Sequence, residues 1–238
     1  MFPLKDNIPT DRLPIVTILL IAANVFVYFA LQHGGFGHGP SNASVIDYGA
    51  IPGEVTHEQP DRGPIASYLT LVTAMFLHGG IFHLAGNMLF LWIFGTNVED
   101  AMSRVRYVAF YLLGGLCAIG LQIAMDPGST VPTVGASGAI AAVLGGYIVL
   151  YPRARIVTVV FIIFLFTLIE LPAWVLLGFW FAEQALFTAG QLAQPTGGGG
   201  GVAYAAHVGG FVFGLLAIRV FVQRRKRIPP PGRIPVYS

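Results

Sequence analysis

The stretch that decides the fold is residues 133–147, "TVGASGAIAAVLGGY", where small residues dominate and one hydroxyl, Ser137, precedes a glycine. Glycine and alanine at this density favour a membrane helix that approaches its neighbours closely. The hydroxyl of a serine in such a helix can also donate a hydrogen bond to a backbone carbonyl one turn earlier. At this point a purely structural role for Ser137 is open, and the rest of the chain has to decide it.

The composition of the chain indicates a membrane protein. Of its 238 residues 55% are hydrophobic and only 10% are charged, and the mean hydropathy is +0.72. A soluble domain carries about 25% charged residues. The apolar residues also form long runs, and a bilayer-spanning helix needs roughly 17 to 25 such residues. The expected fold class is therefore an all-α polytopic membrane protein, and the single cysteine, Cys117, excludes a disulfide framework.

Six membrane spans are predicted from the apolar runs. The run from 156 to 189 is too long for one span and too short for two, and Pro172 divides it because proline disfavours helix in the preceding residue. We expect the fifth span after Pro172, with 156–169 packed at the membrane boundary or extending that span at a kink. The other spans are predicted at about residues 13–31, 81–97, 107–125, 135–151 and 203–222.

The basic residues predict the orientation in the membrane. With a cytoplasmic N-terminus and six spans, twelve of the thirteen Lys and Arg residues lie inside and only Arg62 lies outside. We therefore expect a multi-pass protein with both termini cytoplasmic, in the bacterial inner membrane. The pI of about 8.8 follows from this topology, so no nucleic-acid partner is expected.

The same topology divides the chain into three parts. Residues 1–12 form a cytoplasmic N-terminal segment, and residues 13–223 form the six-span domain, with 33–80 as its outer first loop. Residues 224–238 form a basic, proline-rich cytoplasmic tail.

Four polar residues on three spans are predicted to lie at one depth near the outer surface. Ser137 opens the fourth span, His207 opens the sixth in "AYAAHVGGFVFG", and His83 and Asn87 open the second in "HLAGN". Ionisable residues inside a membrane are rare, and each is a functional hypothesis by default. Ser137 and His207 match the nucleophile and base of serine catalysis. Asn87 and His83 lie four residues apart on one helix face and could hold a developing oxyanion.

Other chemistries fit these residues less well. No motif links a carboxylate to His207, and Glu170 and Glu183 are expected to snorkel or to pair helices, so a serine–histidine dyad is favoured. The stretch around Ser137 lacks the last glycine of G-x-S-x-G, and the chain has no H-E-x-x-H run. A metal site of His78, His83 and His207 would leave Ser137 unexplained. We therefore expect no metal and no cofactor.

Three motifs resemble the signatures of the rhomboid family of intramembrane serine proteases. They are "GASGA", "HGGIFHLAGNMLF" and "AHVGGFVFG", and the likeness runs from the first span to the sixth. The resemblance implies a compact six-helix bundle, the six-transmembrane rhomboid-like fold, with a water-filled cavity open to the outside. It implies that Ser137 is the nucleophile and His207 the general base. The implied oxyanion hole consists of Asn87, His83 and the backbone N–H groups of Ala136 and Ser137.

The resemblance also has one gap. Many rhomboids place an aromatic residue four positions after the serine, where it packs on the histidine ring, and here that residue is Ala141. Support for the ring must then come from elsewhere. His78 matches a position of structural importance in the family.

The function implied is that of an intramembrane serine endopeptidase acting in the lipid bilayer. Its substrates would be single-span transmembrane proteins, cut near the outer end of their membrane helix. The alternative is a non-catalytic rhomboid-like protein that binds membrane clients. A small-solute transporter is disfavoured because no inverted repeat is visible in the sequence.

The predicted topology can be tested with reporters. A reporter that is active only in the cytoplasm, fused after Ser238, should be active, because the bias of basic residues places both termini inside. The same reporter inserted beside Arg62 should be silent. Activity of an outside-specific reporter at Ser238 would contradict the six-span topology.

Overall fold

The computed structural model describes residues 2–57, 59–162, 165–193 and 202–224. The predicted tail, 224–238, therefore lies outside the described residues except for Arg224. The described chain is mostly helical, with one small sheet. In chain order the elements are β1 (Phe2–Asp6), α1 (Ile15–Phe26), α2 (Asn42–Tyr48), α3 (Pro52–Val55), α4 (Ser67–Thr73), α5 (Ile81–Phe90), α6 (Thr96–Asp100), α7 (Arg104–Met125), α8 (Ser137–Leu150), β2 (Arg155–Ile162), β3 (Leu165–Pro172), α9 (Ala173–Ala193) and α10 (Tyr204–Phe221).

Long apolar helical segments lie where the spans were predicted. A π-helical turn, Val27–Leu31, continues α1, and another, Leu91–Gly95, joins α5 to α6. In the described part of the chain, three segments are long and apolar enough to cross a membrane: Ile81–Asp100, Arg104–Met125 and Tyr204–Phe221. The helical membrane architecture is thus confirmed, and the count of six spans stays a prediction.

The all-α prediction is wrong for one part of the chain. Strands β1, β2 and β3 form an antiparallel sheet in that order, with Phe2 opposite Val159 and Arg155 opposite Pro172. Residues 156–162 and 165–169 therefore lie on the paired strands β2 and β3, where we had expected a boundary segment or a helical extension. Residues 163 and 164 of that stretch lie outside the described residues. The stretch is rich in valine, isoleucine and threonine, whose branched side chains favour strands. Pro172 fits because it ends a strand at the sheet edge, where no partner needs its missing N–H.

Among the described residues, the two acids of this region pair no helices. Glu170 lies on β3 and Glu183 lies on α9, and both side chains are exposed. Neither contacts His207 within the described structure, since the ring nitrogens of His207 are bonded to other residues.

Helix α8 forms the centre of the bundle, and its glycines bring α10 into backbone contact with it. Every residue from Gly138 to Tyr147 is buried. A methyl group on Gly210 would collide with the carbonyl oxygen of Gly138, and one on Gly214 would collide with that of Ala142. In a membrane, helices associate through such close packing, because lipid is as apolar as the side chains.

At the end of the bundle opposite Ser137, buried polar groups fix the start of α1. The Glu99 carboxylate is 5% exposed and accepts hydrogen bonds from the backbone N–H groups of Val16 and Thr17, at 3.0 and 2.8 Å. The Thr17 hydroxyl donates to it as well, at 2.8 Å. The first N–H groups of a helix have no partner within the helix and carry partial positive charge. Glu99 satisfies both needs for α1.

The same end of the bundle holds β1 through Asp6. The carboxylate of Asp6 accepts hydrogen bonds from the Tyr147 hydroxyl and from Asn97 Nδ2, the second at 2.8 Å. Burial raises the pKa of Asp6 from the ordinary 3.8 to about 6, against the opposing effect of these hydrogen bonds. The strand is therefore tied to α6 and α8 by a carboxyl group that titrates near neutrality.

The close approach of α8 and α10 predicts the effect of one methyl group. Gly210→Ala should destabilise the protein by about 1 to 3 kcal/mol, because two packed backbones must separate. The control is Gly120→Ala on α7, where the added methyl meets nothing within 4 Å. The measurement is thermal unfolding of both purified variants in detergent. Equal stability of the two variants would show that α8 and α10 are not closely packed at Gly210.

The titration of Asp6 predicts how stability changes with pH. Between about pH 4 and pH 6 the folded protein keeps a proton that the unfolded chain releases. The stabilising contribution is therefore complete below the unfolded pKa of 3.8 and is lost as pH rises through about 6. The unfolding temperature of the unmodified protein, relative to Asp6→Asn, should fall from pH 4 to pH 7. Exposed Asp61→Asn is the control, and parallel curves for Asp6→Asn and the unmodified protein would refute the assignment.

Candidate active site

A turn that only glycine adopts readily positions Ser137 as the first residue of α8. Gly135 has φ +132°, a backbone conformation rare for residues with side chains. A methyl group on Gly135 would also lie 2.9 Å from ring atoms of His83. The glycine thus serves two purposes: it forms the turn, and it lets the imidazole lie against the backbone two residues before Ser137.

Ser137 and His207 are in direct contact. The Ser137 Oγ lies 2.8 Å from His207 Nε2, although the two residues are seventy positions apart. His207 is the fourth residue of α10, and the glycine contact between α8 and α10 sets its distance from Ser137. A serine hydroxyl hydrogen-bonded to an imidazole is the arrangement in which a base activates a nucleophile.

The other ring nitrogen of His207 has a partner that the sequence analysis missed. His207 Nδ1 lies 2.7 Å from Oε1 of Gln184, a buried residue of α9. The prediction of a dyad excluded a carboxylate partner for His207, and an amide fills that position. The sequence offered only a weak signal, because Gln184 is one of several polar residues of α9, which also carries Glu183 and Gln191.

The aromatic support that Ala141 cannot give comes from α9 and α10. The Trp180 ring lies 5.7 Å from the His207 ring at an angle of 35°, and the Tyr204 ring approaches edge-on at 6.5 Å. Trp180 is one helical turn before Gln184, so one face of α9 supplies both neighbours of the imidazole. No local motif links α9 to α10, and for that reason the sequence did not reveal Trp180.

Several hydrogen-bond donors surround the serine. His83 Nδ1 accepts from the Gly79 N–H at 3.3 Å, so the ring proton sits on Nε2. Asn87 is 8% exposed, and its Nδ2 has no acceptor among the described residues. Within the same described residues, the backbone N–H groups of Ala136 and Ser137 also have no acceptor. Free donors near a nucleophile are what an oxyanion requires.

His78 lies behind this group and does not contact the serine. Its ring packs edge-on against His83, with centroids 5.1 Å apart, and its backbone is bonded to the Gln32 amide. The ring nitrogens of His207 are engaged by Ser137 and Gln184, so a three-histidine metal site would have to break both contacts. In the described part of the chain, no group of three or more His, Cys, Asp or Glu side chains could hold a metal ion.

Four of the five predicted site residues line one cavity, and the fifth, Ala136, is fully buried beside Ser137. The volume of the cavity is about 1350 Å³, and its walls include Ser137, His207, His83 and Asn87. Trp180 and the loop 126–134 complete the walls near the serine. A substrate segment that enters this cavity would meet a nucleophile, a base and unpaired donors together.

Comparison with known proteins identifies the family. The sequence profile of the Rhomboid domain matches residues 66–224, which include every residue of the candidate site. The chain belongs to the rhomboid family. The resemblance inferred from the three motifs is thereby confirmed, and with it the character of a multi-pass membrane protein.

Individual relatives are moderately similar to this rhomboid. Rhomboid protease GluP of Bacillus subtilis is 31% identical over 188 residues, which are 78% of this chain and 34% of GluP. Mitochondrial Rhomboid protein 1 of Saccharomyces cerevisiae is 30% identical over 180 residues, 71% of this chain and 48% of that protein. The mitochondrial Presenilin-associated rhomboid-like protein of Homo sapiens is 29% identical over 147 residues, 61% of this chain and 36% of its own length. The chain thus spans about a third to a half of each relative.

Proposed function

We propose that this rhomboid is an intramembrane serine endopeptidase that cleaves single-span membrane proteins with a Ser137–His207 dyad. The observation that carries the proposal is the 2.8 Å contact between Ser137 Oγ and His207 Nε2. Its position in a cavity with unpaired donors supports the same conclusion. The similarity to Rhomboid protease GluP agrees with it.

The proposed reaction runs in two halves. Ser137 Oγ attacks the carbonyl carbon of the scissile bond while His207 Nε2 takes the hydroxyl proton. The tetrahedral intermediate collapses, the C–N bond breaks, and His207 returns the proton to the leaving amine. A water molecule then attacks the acyl-enzyme with His207 again as base, which releases the acid and restores Ser137.

The oxyanion of each intermediate requires donors that are in place before the attack. Asn87 Nδ2, His83 Nε2–H and the backbone N–H groups of Ala136 and Ser137 are the candidates. The Asn87 amide supports this role because its Nδ2 is a buried donor without an acceptor among the described residues. Such a group costs stability, and a catalytic role would account for it. Fixed donors of this kind stabilise the transition state without reorganising.

The position of the site suggests where a substrate is cut. Ser137, His83 and His207 lie within the first turn of α8, α5 and α10, so the chemistry is near one end of the bundle. The bias of basic residues makes this the outer end, with both termini cytoplasmic in a bacterial inner membrane. Large apolar side chains are exposed on the outside of the bundle, for example Val105, Leu216 and Val220, and this favours contact with lipid. A substrate helix must unwind locally to present a peptide carbonyl.

The test is cleavage of a single-span substrate by purified protein in vesicles, with labelling by a fluorophosphonate serine probe. Ser137→Ala and His207→Ala should each abolish cleavage, and the double variant should lose no more, because nucleophile and base act as a unit. Ser129→Ala, which removes a hydroxyl from the loop beside the site, is the control. An unmodified protein that binds single-span clients but neither cleaves nor labels would support a client-binding protein instead.

The oxyanion assignment predicts a partial defect. Asn87→Ala should lower kcat by roughly a hundred- to a thousandfold, since one donor to a developing oxyanion is worth about 3 to 4 kcal/mol. Its KM should change little, because the interaction strengthens only as charge develops. Turnover by the purified variant measures this, with Asn42→Ala on the exposed helix α2 as control. If Asn87→Ala cleaves at the unmodified rate, Asn87 is a packing residue.

A further inference from the structure

The proposed dyad leaves one close contact of His207 without a role. Gln184 lies on the inner face of α9, is 6% exposed, and places Oε1 2.7 Å from His207 Nδ1. Its neighbour one turn back, Trp180, covers the imidazole ring. The ring therefore has a hydrogen bond on the nitrogen that does not face Ser137, and an aromatic neighbour on the same helix as Gln184.

We propose that Gln184 is a positioning residue that sets the tautomer of His207 by accepting a hydrogen bond from Nδ1–H. The proposal rests on the proposed function of the Ser137–His207 pair. With the proton held on Nδ1, the lone pair of Nε2 faces the Ser137 hydroxyl and can take its proton. Gln184 also stabilises the imidazolium that forms during attack, because Nδ1–H then donates to the same oxygen more strongly.

The tautomer decides whether the base can act. A neutral imidazole carries one proton, and a ring with that proton on Nε2 would donate to Ser137 instead of accepting from it. Serine proteases that are forced into the wrong tautomer lose about 10⁴ in turnover. The carbonyl end of Gln184 facing Nδ1 excludes that state, because two acceptors cannot share a hydrogen bond.

An amide suits this position better than a carboxylate. An ionised side chain buried at this depth would need a partner for its charge in the resting state, which is costly in a membrane protein. A glutamine provides the same acceptor geometry without a charge. The titratable groups that interact with His207 are His83 on α5 and Tyr204 on its own helix, and neither bonds to Nδ1. Glu183, beside Gln184 on α9, is exposed.

The experiment uses the full chain with two substitutions of Gln184 and one control substitution of Gln223. Gln184→Met keeps the length of the side chain and removes the acceptor. It should lower kcat roughly 10- to 100-fold, which is the effect of losing one hydrogen bond to a charged group. Its KM should change little. Gln184→Glu restores an acceptor, so its kcat should exceed that of Gln184→Met. The acidic limb of its kcat profile should also move to higher pH, because a carboxylate favours the imidazolium. Gln223→Met, at an exposed position far from the site, is the control.

A second readout does not depend on activity. Nitrogen-15 NMR of histidine-labelled protein, with His207 assigned from the His207→Ala variant, should show a protonated Nδ1 and a bare Nε2 at neutral pH. In Gln184→Met the two nitrogens should become a mixture of both tautomers. A protonated Nε2 in the unmodified protein would overturn the proposal, whatever the protein cleaves.

The outcomes separate the two proposals. If the unmodified protein neither cleaves nor labels, the protease function fails, and the NMR spectrum still tests the hydrogen bond. If the protein cleaves through Ser137 but Gln184→Met leaves kcat unchanged, the positioning role alone fails. Should Gln184→Met not fold, the pH shift of Gln184→Glu decides the question, and an unshifted profile overturns the role.

Discussion

The contact on which the rest of this structure depends is the one between the backbones of α8 and α10. Gly138, Gly145, Gly210 and Gly214 leave no side chain between the two helices, and a methyl on any of the last three would collide with backbone of the other helix. Ser137 and His207 sit at the starts of these helices, so their 2.8 Å separation follows directly from the packing. Helices held apart by ordinary side chains could not bring a short serine within reach of an imidazole.

The two ends of the bundle use polar groups in opposite ways. At the end away from Ser137, the carboxylates of Glu99 and Asp6 accept hydrogen bonds from α1, Tyr147 and Asn97. These bonds fix the start of α1 and the strand β1. At the other end, the Asn87 amide is left without an acceptor among the described residues. The carboxylates at the first end hold parts of the fold together, and the Asn87 amide at the cavity end keeps a donor for which the described residues offer no acceptor.

The sequence indicated the helices and the contact between Ser137 and His207 for different reasons. Hydropathy located the helical segments because each is a long apolar run, and Ser137 and His207 stood out as polar residues in such runs. The paired strands β2 and β3 were missed because an apolar stretch of this length does not distinguish strand from helix by periodicity. Gln184 and Trp180 were missed because their role depends on α9 packing against α10, which no spacing along the chain encodes. The roles of the site residues remain proposals.

A neutral third residue follows from where this chemistry takes place. In the resting site that we propose, Ser137, His207, Gln184 and Asn87 are all uncharged, so no ion has to be kept in a poorly solvated cavity. Charge appears only during attack, and then as a pair: an imidazolium on His207 and an oxyanion on the substrate. The two attract each other most strongly in surroundings of low dielectric constant. A permanent carboxylate beside His207 would stabilise the imidazolium further. Burying its charge would, however, destabilise the folded protein in the resting state. In our proposal the amide of Gln184 orients the base without that cost, so the Ser137–His207 pair would need no acidic third member.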